Sequence, residues 1–162
     1  MSRVGWAFEE LHRAENDLRG ELLQVSDRNK ADHEIFHIAR DVAQWSARHV
    51  AELAKVGEDY GVRLDPEAAG GMPIVGAARR KGSELLGRRH APALLLLKDL
   101  RTIHRKAAGV SLDWEVLAQT AQALQDSELL ALCQDCHPET LRQLKWANAK
   151  LKETAAQAMV VA

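Results

Sequence analysis

The 162-residue sequence has few of the residues that brace, interrupt or anchor a chain. Its 2 cysteines are too few for a disulfide framework, and no apolar run approaches the roughly 20 residues of a membrane-spanning helix. The first ten residues contain Arg3, Glu9 and Glu10 instead of an apolar signal segment. We therefore expect a cytoplasmic protein with reduced thiols and no membrane partner. The formal net charge of -1 argues against a polycation that binds nucleic acid.

Proline and aromatic residues are also scarce. The 4 prolines and the aromatic fraction of 4% leave long segments in which apolar residues recur at three- and four-residue steps. No segment alternates apolar and polar residues as a half-buried strand does. The sequence therefore predicts an all-α protein with a single domain over residues 1–162. Its architecture is expected to be an antiparallel helix bundle with a long crossover and extra short helices.

Apolar stripes and turn-forming residues locate the predicted elements. Stripes over residues 4–25 and 35–56 predict two long helices, and the short polar break between them predicts a hairpin. Glycine and proline over residues 61–73 predict the crossover, and a short helix is expected over residues 74–86.

Boundaries in the second half of the chain are predicted from capping residues. We expect the third long helix to stop near Gly109, and Ser111 to cap a further segment. Asp126 or Ser127 is expected to cap another turn of helix. Pro138 suits the first turn of a last helix.

Four polar residues fall inside the apolar stripes: Glu15, Ser46, His49 and Asn148. Because a polar group on a buried helix face needs a partner there, we predict that these side chains meet in the middle of the bundle. They fit either a hydrogen-bonded polar layer or the remnant of a metal centre with Glu15 and His49 as ligands. The possible additions at the stripe edges are Asp99, His104, Asp113 and Thr120.

Three short segments carry a resemblance to a known family. They are LHRAE over residues 11–15, HVAEL over residues 49–53 and AQALQD over residues 121–126. These segments resemble the first, second and third helices of ferritin-like four-helix bundles of the bacterial stress-protein type. The resemblance implies a bundle that holds two metal ions between its helices.

The family's ligands carry over only in part. Glu15 matches the glutamate of the first helix, and His49 matches the histidine of the second, but Ser46 stands where a second-helix glutamate is expected. The last helix has no Glu-x-x-His. One Glu and one His cannot supply the anionic oxygens that two bridged hard cations need. We therefore expect no cofactor, with iron or manganese as the alternative.

HEIFH over residues 33–37 has the H-E-x-x-H form of zinc metalloproteases. A catalytic zinc needs a third protein ligand in a sheltered site, whereas His33 and His37 fall on the face opposite the apolar stripe. A surface metal site at His33 and His37 is the alternative.

Three other features have plain structural interpretations. CQDCH over residues 133–137 has the haem-attachment form, but without export we expect two reduced thiols. The basic residues of 79–89, without interleaved aromatics, predict a solvated connecting helix. The four tryptophans lie off or beside the stripes and predict a second apolar surface, which either covers the extra helices or forms an isologous homodimer interface. They are Trp6, Trp45, Trp114 and Trp146.

Together these features predict a non-catalytic, ferritin-like bundle protein with a binding, structural or stress-related role and no identified partner. Two alternatives stay open. One is a divergent two-metal oxidase or iron-handling protein that uses iron or manganese at Glu15 and His49. The other is a partner-binding dimeric helical module.

Overall fold

The computed structural model describes residues 2–69 and 92–160. Four long helices account for most of these residues: α1 (Arg3–Arg28), α2 (His33–Gly57), α3 (Pro92–Leu124) and α4 (Ser127–Val160). A short 3-10 turn, Glu58–Tyr60, follows α2, and the described ranges contain no strand. The predicted all-α class is confirmed. The short helix predicted over residues 74–86 and the basic segment of residues 79–89 lie outside the described residues.

Side chains cap three of the helix starts. Ser2 Oγ accepts a hydrogen bond from the Gly5 N–H at the start of α1 (2.9 Å). Asp32 does the same for the Ile35 N–H at the start of α2 (3.1 Å). Asp126 accepts from the N–H groups of Glu128 and Leu129. These bonds satisfy backbone donors that have no partner within the helix, and so fix where each helix begins.

The third helix does not stop near Gly109 as predicted, but continues to Leu124. Gly109 lies on the exposed side of α3, where an interior glycine costs only about 1 kcal/mol relative to alanine. Continuing the helix buries Val110 and Trp114, which outweighs that cost. Ser111 is therefore a buried residue inside α3 and not a cap.

The last helix begins at Ser127, eleven residues before its predicted start at Pro138. Pro138 therefore lies inside α4. Pro138 cannot donate a hydrogen bond to the Gln134 carbonyl, but both residues lie on the exposed side, where water can bond to that carbonyl. On the opposite side Cys136 and Thr140 are fully buried. Packing of this face holds α4 continuous across the proline.

Contacts between α1 and α3 show that these two helices run antiparallel. Arg28, at the end of α1, pairs with both carboxylate oxygens of Asp99, near the start of α3 (2.7 and 3.1 Å). Lys106, further along α3, pairs with Asp17, which precedes Arg28 in α1 (2.9 Å).

The helices α2 and α4 also run antiparallel. Glu34 at the start of α2 pairs with Lys150 near the end of α4 (2.6 Å), and Arg48 pairs with the earlier Asp135 (2.7 Å). The pairings of Asp27 with Arg40 and of Glu15 with His49 show that α1 and α2 are antiparallel. Because α1 runs antiparallel to both α2 and α3, α2 and α3 are parallel. Parallel successive helices require a long connection, as the glycine and proline of the crossover predict.

The centre of the bundle is filled mainly by aliphatic side chains. Those without exposed surface include Leu11, Leu18, Leu22, Leu53, Leu100, Ile103, Leu117 and Leu129, and the aromatic ring of Phe8 is buried with them. None of the helices in residues 2–69 and 92–160 combines the length and the apolar character that crossing a membrane requires.

Candidate functional site

A buried glutamate, histidine and tryptophan meet in the middle of the bundle, each from a different helix. Glu15 on α1, His49 on α2 and Trp114 on α3 have no exposed surface. Glu15 Oε1 accepts a hydrogen bond from Trp114 Nε1 (2.8 Å) and lies 2.7 Å from His49 Nδ1. The edge of one ring faces the other, with the His49 and Trp114 ring centres 5.6 Å apart. One carboxylate oxygen therefore links three of the four helices.

The fourth helix contributes a second carboxylate. His49 Nε2 lies 3.2 Å from Glu139 Oε1 on α4, so a different glutamate contacts each ring nitrogen. A carboxylate oxygen can only accept a hydrogen bond. The two contacts therefore both form as hydrogen bonds to ionised glutamates only when each nitrogen of His49 donates, and the geometry places the ring between two carboxylates.

Arg48 connects this network to the protein surface. Its guanidinium donates to Glu139 and to Asp135 (2.7 Å to the latter), and its side chain is partly exposed. The hydrogen bond to Glu139 raises the pKa of Arg48, so its positive charge is permanent. Charges in a protein interior are tolerated only when they are paired, and here Arg48 and the His49 ring lie among the carboxylates of Glu15, Asp135 and Glu139. We call Glu15, Arg48, His49, Trp114 and Glu139 the charged core.

A neutral layer lies one turn away along α2. Gln143 Nε2 on α4 donates to Ser46 Oγ (2.9 Å) and to the Val42 carbonyl (2.8 Å). Both Ser46 and Gln143 are fully buried. Gln143 thus occupies the position that the sequence assigned to Asn148, which is only partly buried. Asn148 does not face the core because Ala147 does, and successive residues of a helix are turned by about 100° from each other.

Three buried side-chain oxygens in and beside these layers accept no hydrogen bond from the described part of the chain. They are Glu15 Oε2, Thr140 Oγ1 and Gln143 Oε1. A buried polar atom without a partner costs about 1–3 kcal/mol. A fourth buried atom without a partner among the described residues, Trp146 Nε1, lies outside these layers.

The other predicted additions do not reach Glu15 or His49 within the described residues. Asp99 binds Arg28, which lies about 20 Å along α1 from Glu15. Burial and the nearby charge of Glu10 raise the pKa of Asp113. The Thr120 hydroxyl donates to the carbonyl of Val116 in its own helix (2.8 Å). His104 is partly buried on α3.

The charged core does not have the geometry of a metal centre. In residues 2–69 and 92–160, no three His, Cys, Asp or Glu side chains converge where they could hold an ion. Glu15 and His49 contact each other directly and do not face a common central point. A pair of hard cations needs several carboxylate oxygens around a common point, and the described part of the chain does not bring such a set together.

Both cysteines are buried inside α4, and they are free thiols, as predicted. Burial raises the pKa of Cys133 and of Cys136 to about 12. The thiolate is the reactive form of cysteine, so both side chains are inert thiols near neutral pH. The adjacent His137 contacts Ser111 on α3 through its Nε2 (2.7 Å).

The tryptophans do not share one surface. Trp114 is fully buried, which contradicts the prediction that it lies beside the stripe. Its spacing from Val110 and Leu117 places it on the core face of α3, a signal that the premature helix end at Gly109 concealed. Trp6 is 52% exposed, and Trp45 and Trp146 are partly buried.

Sequence reasoning missed Glu139, Arg48 and Gln143. Glu139 and Gln143 are four residues apart, and once α4 is known to start at Ser127 they fall on the side that also buries Cys136. Arg48 carries no such signal, because it is partly exposed and its partners come from a distant segment.

The two histidines of the H-E-x-x-H segment are exposed on α2. The ring centres of His33 and His37 are 5.0 Å apart, and the intervening Glu34 pairs with Lys150. The glutamate that would act as the base in a metalloprotease is thus held by a lysine.

No family model, curated protein or solved structure matches this chain. Function must therefore be inferred from the chemistry of its side chains.

Proposed function

We propose that this chain is a ferritin-like bundle protein whose charged core is held together by its own side chains, and that it acts as a binding or structural protein without metal chemistry. The observation that carries the proposal is the engagement of His49: Glu15 contacts one ring nitrogen and Glu139 the other. Neither nitrogen is free to bind an ion.

The connection of the helices supports the ferritin-like part of the proposal. Ferritin-like bundles join two antiparallel hairpins through one long crossover. Here α1 and α2 form the first hairpin, α3 and α4 form the second, and the antiparallel contacts of α1 with α3 and of α2 with α4 place them side by side.

The charge balance supports the second part. In a two-metal centre the metal ions neutralise the inward-facing carboxylates. In this chain Arg48 binds Glu139, and Trp114 and His49 bind Glu15. Protein donors thus take the place that cations would have beside Glu15 and Glu139. Such a core stabilises one arrangement of the four helices, because each helix supplies a partner that the others need.

Metal analysis of protein purified without a histidine tag tests the proposal. After incubation with iron(II) or manganese(II) and desalting, we expect far less than one ion per chain. Near-stoichiometric iron or manganese that disappears in Glu15→Ala would contradict the proposal. Glu115→Ala, which changes an exposed glutamate of α3, is the control and should leave the metal content unchanged.

The divergent two-metal protein is a second candidate, which one observation favours. Glu15 Oε2 is buried and accepts no hydrogen bond from the described residues, so one oxygen of the first-helix glutamate is available. Metal binding would then require His49 to leave Glu15 or Glu139. The same metal analysis separates the two functions, since only this candidate predicts iron or manganese that depends on Glu15.

A further inference from the structure

Two imidazole rings lie side by side on the exposed face of α2, away from the charged core. His33 and His37 are both exposed and are separated by one helical turn. Their ring centres are 5.0 Å apart, and the planes are tilted by 39°. Side chains four residues apart on a helix are neighbours on its surface, so the spacing is set by the backbone of α2.

This separation is the one that a shared metal ion requires. Two imidazole nitrogens at about 2.0–2.1 Å from one zinc ion, with a near-tetrahedral angle between them, place their ring centres about 5 Å apart. The observed 5.0 Å therefore lets both rings reach one ion after rotation about side-chain bonds only. Exposed side chains make such rotations freely.

The charged side chains next to His33 and His37 bind other residues, so both imidazole rings stay accessible. Arg40, one turn further along α2, is held by Asp27 (3.5 Å) and lies over the Phe36 ring (5.4 Å). Glu34 is held by Lys150, so it does not serve as a third ligand. The site thus offers two nitrogens, and water completes the coordination of an ion.

We propose that His33 and His37 form a surface site for one borderline divalent cation of the zinc and nickel class. Imidazole nitrogen suits these ions, whereas magnesium and calcium prefer oxygen ligands. The site is independent of the proposed function, because its two ligands lie outside the charged core. An ion that binds only the folded chain stabilises it in proportion to the logarithm of the ion concentration. Its direct effect is to clamp the first turns of α2.

The test is calorimetric titration of tag-free protein with nickel chloride and, separately, zinc chloride. We expect saturable binding of one ion per chain for the original protein. In His33→Ala the affinity should fall at least about tenfold, because the second nitrogen no longer adds to the first. Magnesium chloride should give no saturable binding.

Two variants in the His33→Ala background test the spacing. Asp41→His restores two imidazoles four residues apart, with His37 as the first, and should restore the affinity. Gln44→His restores the number of histidines but places them two turns apart, about 10 Å along the helix, and should not. Asp41 and Gln44 are both exposed, so neither change disturbs the core.

Three results would overturn the proposal. The first is the absence of saturable nickel and zinc binding. The second is equal affinity in the His33→Ala/Gln44→His variant and the original protein. The third is binding that survives His33→Ala but is lost in Glu15→Ala. The last result would place the ion in the charged core and would also contradict the proposed function. The first two leave that function untouched.

Discussion

His49 Nδ1 lies 2.7 Å from Glu15 Oε1, and neither side chain has any exposed surface. A charged pair at this depth is stable only as a pair, since each member alone would be an uncompensated buried charge. The contact joins α1 to α2, and its extension to Trp114 and Glu139 joins α3 and α4. The arrangement of the four helices and the charge state of the core are therefore coupled.

Removal of His49 should be costly, and neutralising Glu15 should relieve part of the cost. His49→Leu leaves Glu15 buried without its cation, and we expect unfolding free energy to fall by about 3–5 kcal/mol. Adding Glu15→Gln to His49→Leu should recover stability, although Glu15→Gln alone destabilises the protein. Urea denaturation of the four proteins measures this coupling.

The exposed pair of Arg13 and Glu10 provides the control for this cycle. Arg13→Leu should change the unfolding free energy by less than about 0.5 kcal/mol. Additive effects of His49→Leu and Glu15→Gln would show that the two residues do not act as a buried charged pair.

Gln143 and Asn148 should respond very differently to substitution. Gln143→Ala removes the donor to Ser46 and the Val42 carbonyl, and we expect a loss of about 1–3 kcal/mol. Asn148→Ala, at a partly buried position, should change stability by less than about 0.5 kcal/mol. Thermal or urea unfolding of the two variants measures the difference. A larger loss of stability in Asn148→Ala than in Gln143→Ala would contradict the structure and support the sequence prediction that Asn148 lies in the core.

Stability should fall as the pH rises from about 9 to about 12, because of the buried thiols. Unfolded cysteine loses its proton near its ordinary pKa of 9.0, whereas burial raises the pKa of Cys133 and Cys136 to about 12. Between these values the unfolded chain binds fewer protons than the folded chain, so the unfolding free energy decreases with increasing pH. Urea denaturation across this range should show a shallower decrease in Cys133→Ala/Cys136→Ala.

A part of the alkaline decrease should remain in the cysteine variant. Burial, followed by the hydrogen bond to Asp126, raises the pKa of Tyr60 to about 12 from 10.0, which acts in the same direction above pH 10. Tyr60→Phe in the cysteine variant should reduce that remainder, and the rest is expected from Lys150, whose pKa is raised by its hydrogen bonds to Glu153 and Glu34. Rapid alkylation of both thiols in the folded protein near neutral pH would contradict their burial.

The tryptophans should divide into one core residue and one surface residue. Trp114→Ala removes a fully buried ring and the donor to Glu15, and we expect a loss of about 3–5 kcal/mol. Trp6→Ala should change monomer stability by less than about 0.5 kcal/mol. Urea unfolding measures both effects. Light scattering on Trp6→Ala also tests the dimer hypothesis, since a molar mass that falls from dimer to monomer would place Trp6 at an interface between copies.

The periodicity of apolar residues predicted which residues of a single helix face the core. The stripes of α1 and α2 placed Glu15, Ser46 and His49 among apolar neighbours, and the structure buries all three. A residue's side of a helix follows from its position within that helix alone, provided that the helix has no hidden interruption.

The same reasoning failed where packing overrides local preference. Gly109 and Pro138 were read as helix ends, yet burial of Trp114 beyond the first and Thr140 beyond the second continues both helices. The early stop concealed Trp114, and in α4 the polar Thr140 and Gln143 are buried while Leu141 is exposed, so apolar periodicity points to Asn148 instead of Gln143. The contact between His49 and Glu139 joins residues 90 positions apart, so it depends on the register between helices, which periodicity does not specify.

The protonation of the His49 ring is the most direct test of a core neutralised by its own cations. Long-range nitrogen–proton NMR correlation, with His49→Gln for assignment, reports whether each ring nitrogen carries a proton. The proposal predicts that Nδ1 and Nε2 each carry a proton, since a ring that donates on both sides satisfies Glu15 and Glu139 together. A neutral ring with one bare nitrogen, or a nitrogen shifted by added iron or manganese, would contradict the proposed function.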